Sequence, residues 1–383
     1  MPLYDQSLPN SQWTSVNAGV IPEDVFGVAI NWFVNRTPLT TRLPRGPVGS
    51  ASFRITNDNY RPRSVPLGTS ATSGQGTLVF TDASSFTVGD VVQADSELML
   101  VTAATATTLT VTNAYAGTSA AAHTAPVPVY LITNTRTGAE IDVTGISRVP
   151  VTIIQPCQTV QHAYQVGGAL QADDNYYGGF ITPLARDKML AVQHVMDDFE
   201  SACYYGKGVA LAAAGTRPLM KGFDTLLTTN IIGPGHATTA PTNATAYKPS
   251  DLVRDTMQAC FQSGGNPNLM LMSTDFMTGM AVWGHAAQRL QAGANVFGTP
   301  IDLFEAPFLS GISIIPAPLL RAGTVICLSG PEVRLRMKRD MIDKPRGSRG
   351  DAFEGDVIME GAIEIANEAH HSMVSGITGF AAA

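Results

Sequence analysis

The sequence predicts an α+β protein with a small all-β module inserted into a larger fold. Three observations predict it: short Thr/Val runs separated by turn residues in a charge-segregated stretch, one long amphipathic helix after it, and mixed strands and helices in the second half. At 383 residues the chain is long enough for several domains. Only 14% of its residues are charged and 44% are hydrophobic, where soluble chains carry about 25% charge. A folded chain so poor in charge is expected to cover much of its surface with other subunits. The formal net charge of −7 excludes a globally basic nucleic-acid binder and leaves room for local basic patches.

Charge marks the first boundary. Arg36, Arg42, Arg45, Arg54, Arg61 and Arg63 face a single acid, Asp58, and form a basic arm. From Ser64 to Thr135 there is no Lys or Arg, whereas Asp82, Asp90, Asp95 and Glu97 make the stretch acidic. Within it, β-type runs at 77–80, 91–92, 98–101, 109–111 and 127–132 alternate with turns, which predicts a β-barrel-like insert over 72–126. Residues 140–168 are Thr/Val/Ile-rich and carry Pro150 and Pro156, as edge strands or a ribbon would.

The clearest helix follows. Thr182 is a good N-cap, Pro183 suits the first helical position, and Gly206 can end the helix. Met189, Val192, Met196, Phe199 and Cys203 recur as an apolar stripe over 183–205. A loop-rich stretch, 208–249, leads to an α/β region. There Ser250 is expected to cap a helix to about 263, Gly264 and Gly265 to stop it, and 268–272 to be a strand. A helix from Thr274 through Trp283 to about 290 and strands at 312–315, 324–328 and 333–338 come next, the last alternating apolar and basic. Near the end, Val357, Met359, Ile363 and Ile365 share one strand parity and Glu360 and Glu364 the other.

Three of these segments together resemble a known family: Glu-Ile-Asp-Val through Val-Gly-Gly over 140–168, the helix 184–206, and the ending Gly-Ala-Ile-Glu-Ile-Ala-Asn-Glu-Ala-His-His from Gly361. They look like the major capsid proteins of tailed bacteriophages with the Hong Kong 97 fold, in the branch carrying an inserted β domain. Phe-Thr-Val-Gly-Asp at 86–90 and Tyr-Ala-Gly-Thr at 115–118 are similar to that insert. The resemblance implies an N-terminal arm over 1–45, an extended loop over 46–71 and 127–165, and the insert between. It implies a peripheral domain over 166–248 and 331–383 with 183–205 as its spine helix, and an axial domain over 249–330.

By the same resemblance the chain assembles with itself into pentamers and hexamers of an icosahedral shell around double-stranded DNA. Portal, scaffold and decoration proteins are the further partners it implies. The location is the virion, after assembly in the host cytoplasm. An encapsulin-like compartment enclosing a cargo enzyme is the alternative of the same fold. A β-rich surface adhesin would fit the composition but should carry an export signal. The start of the chain lacks one, and no window approaches the ~20 apolar residues of a membrane span, so a cytosolic, non-membrane protein is expected.

No phosphate-loop, zinc-protease, nucleophile-elbow or dinucleotide motif occurs, so no enzyme activity and no cofactor are expected. Cys157, Cys203, Cys260 and Cys327 are scattered, as buried free thiols would be. His194, Asp197, Asp198 and Glu200 lie on the long helix, and His194 and Asp198, four apart, could reach one ion. A polar helix face is the expectation, with Asp197, Asp198 and Glu200 meeting a neighbour's arginines. Asp173 and Asp174 before Tyr176-Tyr177-Gly178-Gly179 are read as a turn, and His370 and His371 beside Glu368 as structural.

The basic residues are the main candidates. Arg36, Arg42, Arg45, Arg54, Arg61 and Arg63, with Arg334, Arg336, Lys338, Arg339, Arg346 and Arg349, are expected to face neighbouring subunits or, second, packaged DNA. The second group is expected to divide between a strand and a loop over 344–350. Some relatives cross-link a Lys to an Asn of a neighbour. No lysine precedes Lys188, so a non-covalent shell is expected.

Overall fold

The computed structural model describes residues 36–57, 61–137, 150–172, 182–210, 216–280, 283, 303–306 and 308–381. Of the expected arm over 1–45 the part before Arg36, of the expected ribbon over 140–168 the part before Pro150, the expected turn at Asp173–Asp174 and the expected helix beyond Trp283 lie outside the described residues. The chain divides into two compact units, one of Asp58–Val151 and one of the remainder.

The unit 58–151 is all β. Its sheet takes the order Ser64–Pro66, Pro128–Asn134, Asp90–Ala94, Glu97–Ala104, Thr108–Thr112 and Thr77–Val79. A bridge between Leu67 and Phe80, with the Gly68 N–H donating to the Val79 carbonyl at 2.8 Å, joins the first and last strands of that order. Alternate residues point inward, so Leu78, Val92, Met99, Val101, Leu109, Val111, Val129 and Leu131 share one core. The bounds differ from the expected 72–126. Ser64–Pro66 and Pro128–Asn134 pair with each other, and the latter pairs with Asp90–Ala94, so both belong to this sheet and not to a separate loop.

In the other unit, a four-stranded sheet runs Arg45–Pro47, Val333–Arg349, Ala352–Ile365, Gln158–Gly167. The two central strands form one long antiparallel hairpin. Residues 344–349, expected as a loop, continue the strand. Pro345 is tolerated because the neighbouring strand reaches only Leu335 to Met337, and a register shift follows at Gly347. Ser52–Asn57 and Val151–Pro156 form a separate two-stranded ribbon.

The long helix spans Pro183–Tyr205, with Thr182 Oγ1 accepting the Ala185 N–H at 3.2 Å. It ends at Gly206, where a Cβ would collide with the Met220 carbonyl. The helix lies on the strands Gln158–Gly167 and Ala352–Ile365. Its buried stripe is Ala191, Val195, Phe199, Cys203 with Glu200 and Tyr204. This corrects the expected stripe: Met189 is 41% exposed, and the face is rotated toward the 191-195-199-203 spacing.

The second half builds a six-stranded sheet, Ile231–Ile232, Ser372–Val374, Val325–Leu328, Leu269–Met272, Leu309–Pro316 and Leu303–Ala306. It separates two cores. Leu271, Ile326 and Leu328 join the core of the long helix, while Met270, Met272, Val325 and Cys327 join Tyr247, Phe276 and Trp283 on the other side. The helical segment before it begins at Pro249, with Lys248 and not Ser250 at the cap, and continues through a wider π-helical turn, Val253–Gln258, to Gln262. Among the described residues no helix is long and apolar enough to cross a membrane.

Candidate functional site

The most constrained polar site lies on the long helix at Glu200. The expectation placed Glu200 on an exposed acidic face; it is fully buried. Its carboxylate accepts the N–H groups of Leu39 at 3.2 Å and Thr40 at 3.0 Å, the Thr40 hydroxyl at 2.9 Å and the Tyr204 hydroxyl at 2.7 Å. Leu39 and Thr40 sit in the first turn of the short helix Pro38–Arg42, where N–H groups find no acceptor within the helix. A negative charge at that end also suits the helix dipole. Glu200 therefore fastens the segment Pro38–Arg42 to the long helix. Burial pushes its carboxyl above the ordinary range, against the pull of the Thr40, Tyr204 and Leu39 donors.

Of the rest of the acidic face, Asp198 is exposed and Asp197 half-buried. Asp197 pairs with Arg36 at 3.2 Å, and Asp198 meets His162 Nε2 at 2.7 Å. The Asp197 pair is a contact within one chain, in the place where the sequence reading expected a neighbour's arginine.

The long hairpin carries the second constellation. On the strand Ala352–Ile365, one parity supplies Val357, Met359, Ile363 and Ile365 to the core and the other places Asp356, Glu360 and Glu364 at four-residue intervals. Facing bases close each carboxylate. Arg334 and Arg336 hold Glu364, Lys338 and Arg339 hold Glu360 at 2.8 and 2.7 Å, and Arg346 grips both oxygens of Asp356. Arg45 adds a pair to Asp340 at 2.8 Å. Burial would raise the Asp356 and Glu360 carboxyls, but hydrogen bonds and the facing cations hold both below the usual range.

In the β unit, Arg61 pairs with the fully buried Asp90, which also accepts the Thr87 N–H and the Asn134 amide, each at 2.7 Å. Eight of the twelve expected basic residues thus pair within their own chain: Arg36, Arg45, Arg61, Arg334, Arg336, Lys338, Arg339 and Arg346. Arg42, Arg54 and Arg63 are exposed, with no side-chain ion pair among the described residues. The side chain of Arg349 lies outside them.

His370 and His371 follow the last long strand in a turn. His370 Nδ1 lies 2.9 Å from Glu332, while buried His371 accepts the Ser329 N–H at Nδ1 and donates from Nε2 to the Ala366 carbonyl. Burial lowers its pKa to about 4. Cys157, Cys203, Cys260 and Cys327 are free and buried. Sequence reasoning missed the role of Glu200. The available signal was Tyr204 one turn on, with Phe199 and Cys203 flanking both, which puts Glu200 beside the apolar stripe.

These constellations use their charges to fasten the strands and segments of an α+β fold together. The family described as SU10 major capsid protein matches residues 8–378. The chain belongs to that family: it is a major capsid protein. No curated protein sequence matches it. Among solved structures it is similar to the capsid of an empty GTA particle, at 11% identity and TM-score 0.48 over 92% of this chain and 93% of that one. Mycobacterium phage Bobi gives 12% identity and TM-score 0.42, covering 88% of each chain. The holo-SrpI encapsulin complex from Synechococcus elongatus PCC 7942 gives 11% and 0.45, covering 89% of this chain and 88% of that one.

Proposed function

We propose that this major capsid protein tiles the icosahedral shell of a tailed double-stranded DNA bacteriophage, as pentamers and hexamers of a Hong Kong 97-type fold. The observation that carries the reading is the family match across 8–378, nearly the whole chain. Its role is mechanical. Many overlapping contacts per subunit, each weak alone, close a container by multivalency.

In this reading residues 1–45 form the arm that laces neighbours, and Glu200 fixes where the arm leaves its own subunit. The helix 183–205 is the spine of the peripheral domain, and 249–330 forms the axial domain. The β unit is an insert that clamps neighbours or offers a docking surface to a decoration protein. Portal and scaffold proteins are the further partners, and assembly takes place in the host cytoplasm. The lack of any lysine before Lys188 supports a shell without covalent cross-links.

The paired state of the hairpin bases favours an architectural role for them over phosphate binding, because each already spends its charge on a carboxylate of its own sheet. Arg42, Arg54 and Arg63 remain the residues for contact with neighbours, and with DNA as the second reading. Boiling purified particles in detergent tests the non-covalent shell: intact monomer bands support it, and ladders of higher mass refute it.

A further inference from the structure

We propose that the outer edge of the strand Gln158–Gly167, with the flank of the long helix beside it, receives by β-strand addition the arm segment 25–34 of a second copy of this chain. The strand is an edge of its four-stranded sheet, and among the described residues only Ala352–Ile365 pairs with it. The Gly168 N–H donates to the Asp351 carbonyl in the register of that pairing, so even-numbered residues turn their backbone groups to Ala352–Ile365. Odd-numbered residues turn theirs outward: the Cys157 N–H donates away from that partner, to the Ala51 carbonyl at 2.9 Å. Beyond it, Thr159, Gln161, Ala163 and Gln165 are all exposed, and their outward groups have no backbone partner among the described residues.

Nothing guards this edge. The strand carries no Lys, Arg or Pro and keeps an unbroken register over its 10 residues. The other side of the sheet, past Met337, carries Lys338, Arg339, Pro345 and register shifts, the devices that keep a free edge from pairing. Two grooves of about 550 and 220 Å³ follow the bare edge in series, the first from Gln158 to His162 and the second from His162 to Gln165. Their other wall is one stripe of the long helix, Asp187, Leu190, His194, Asp198, Ser201 and Tyr205, spaced three or four apart. A strand laid between a sheet edge and a helix takes main-chain hydrogen bonds from the one and side-chain pockets from the other. The grooves hold Asp187 and Asp198 and no Lys or Arg, so they repel an acidic occupant. Segment 25–34 has no charge and no proline, and its Phe26, Val28, Ile30, Trp32 and Val34 share one strand parity, an apolar row for the helix side. The chain's own arm meets the helix partway along, where Arg36 pairs with Asp197. From there roughly 15 Å of helix remain to Asp187 and roughly 12 Å to Tyr205, while ten extended residues span roughly 33 Å, so a second copy's segment is the one that fits the whole groove. The inference rests on the self-assembly reading and names where one contact of the arm falls.

The test places the photo-crosslinking residue p-benzoylphenylalanine at Thr159 or Gln165, both exposed, in the full-length chain. Copies labelled with ¹⁴N and ¹⁵N are co-assembled, cross-links are mapped by mass spectrometry, and the same sample is viewed by electron microscopy. Cross-links from either position to 25–34 of the other isotope are expected. Ala163→Pro removes an outward N–H and leaves the ladder to Ala352–Ile365 intact, and Ile30→Asp puts a charge into the apolar row. Each is expected to lower the cross-link yield about tenfold with the melting temperature of the unassembled chain unchanged. Particles whose cross-links map elsewhere, or to 25–34 of the same copy, overturn the proposal and leave the shell reading standing. Cross-links to 25–34 between copies that form no particles support the docking and count against the shell, and absence of both overturns both.

Discussion

The carboxylate of Glu200 accepts the backbone N–H of Thr40 at 3.0 Å, across 160 residues of sequence. A buried acid in the middle of a helix is costly unless several donors converge on it, and here four do. Glu200→Ala is expected to destabilise the subunit by about 1–3 kcal/mol, because it leaves the donors of Leu39 and Thr40 buried without an acceptor. Proteolysis should then cut first near residue 40, which limited digestion with mass spectrometry would detect.

The same residue predicts a pH dependence. Because burial raises the Glu200 pKa in the folded state, the folded chain holds that proton more tightly than the unfolded chain does. Its contribution is most favourable at low pH and diminishes as pH rises through the folded pKa. Glu200→Gln is expected to lower stability overall yet remove this slope, as measured by denaturant unfolding from pH 4 to 8.

His371 acts in the opposite sense. Burial lowers its pKa to about 4 in the folded state, opposed by the Ala366 carbonyl and the nearby Glu332 and Glu368 and reinforced by His370. The stability linked to its neutral form is present above the unfolded value of about 6.5 and is lost as pH falls toward 4. His371→Asn, which can keep an acceptor toward the Ser329 N–H, is expected to flatten the profile between those limits. A wild-type stability curve already flat across that window would contradict the assignment.

On the hairpin, each carboxylate is closed by half-exposed bases, so removing one acid leaves cations that water can still reach. Glu360→Gln is therefore expected to cost only about 1 kcal/mol, whereas Glu360→Gln combined with Glu364→Gln should let four bases repel one another and cost more than the sum. Chemical denaturation of the two single variants and the double variant measures this coupling.

Arg42, Arg54 and Arg63 separate the two surface readings. Replacing all three with Gln is expected to make particles dissociate at lower salt while DNA retention at fixed salt is unchanged. Loss of DNA from otherwise intact particles would assign them to phosphate contact.

Much of the fold was legible where one face of an element is buried. The Pro183–Tyr205 helix announced itself through Thr182, Pro183 and Gly206, and the last long strand through the opposed parities of Ile363 and Glu364. The helix stripe was misplaced because Glu200 and Tyr204 are buried polar positions that a hydrophobic pattern discards. Leu269–Met272 and Val325–Leu328 could be read as strands but not oriented, since both faces of that sheet are covered and no alternation survives. The β unit runs wider than 72–126 for a different reason: Ser64–Pro66 is too short to register as a strand until Pro128–Asn134 pairs with it. Ion pairs between distant segments, such as Arg36 with Asp197, leave no local signal at all.

Electron microscopy of the purified full-length chain, expressed alone and with its neighbouring phage proteins, tests the central claim most directly. Closed particles of uniform size built only from this chain, or from it with a scaffold, are the predicted result. A monodisperse monomer that forms no particles in any salt, pH or co-expression condition would contradict it.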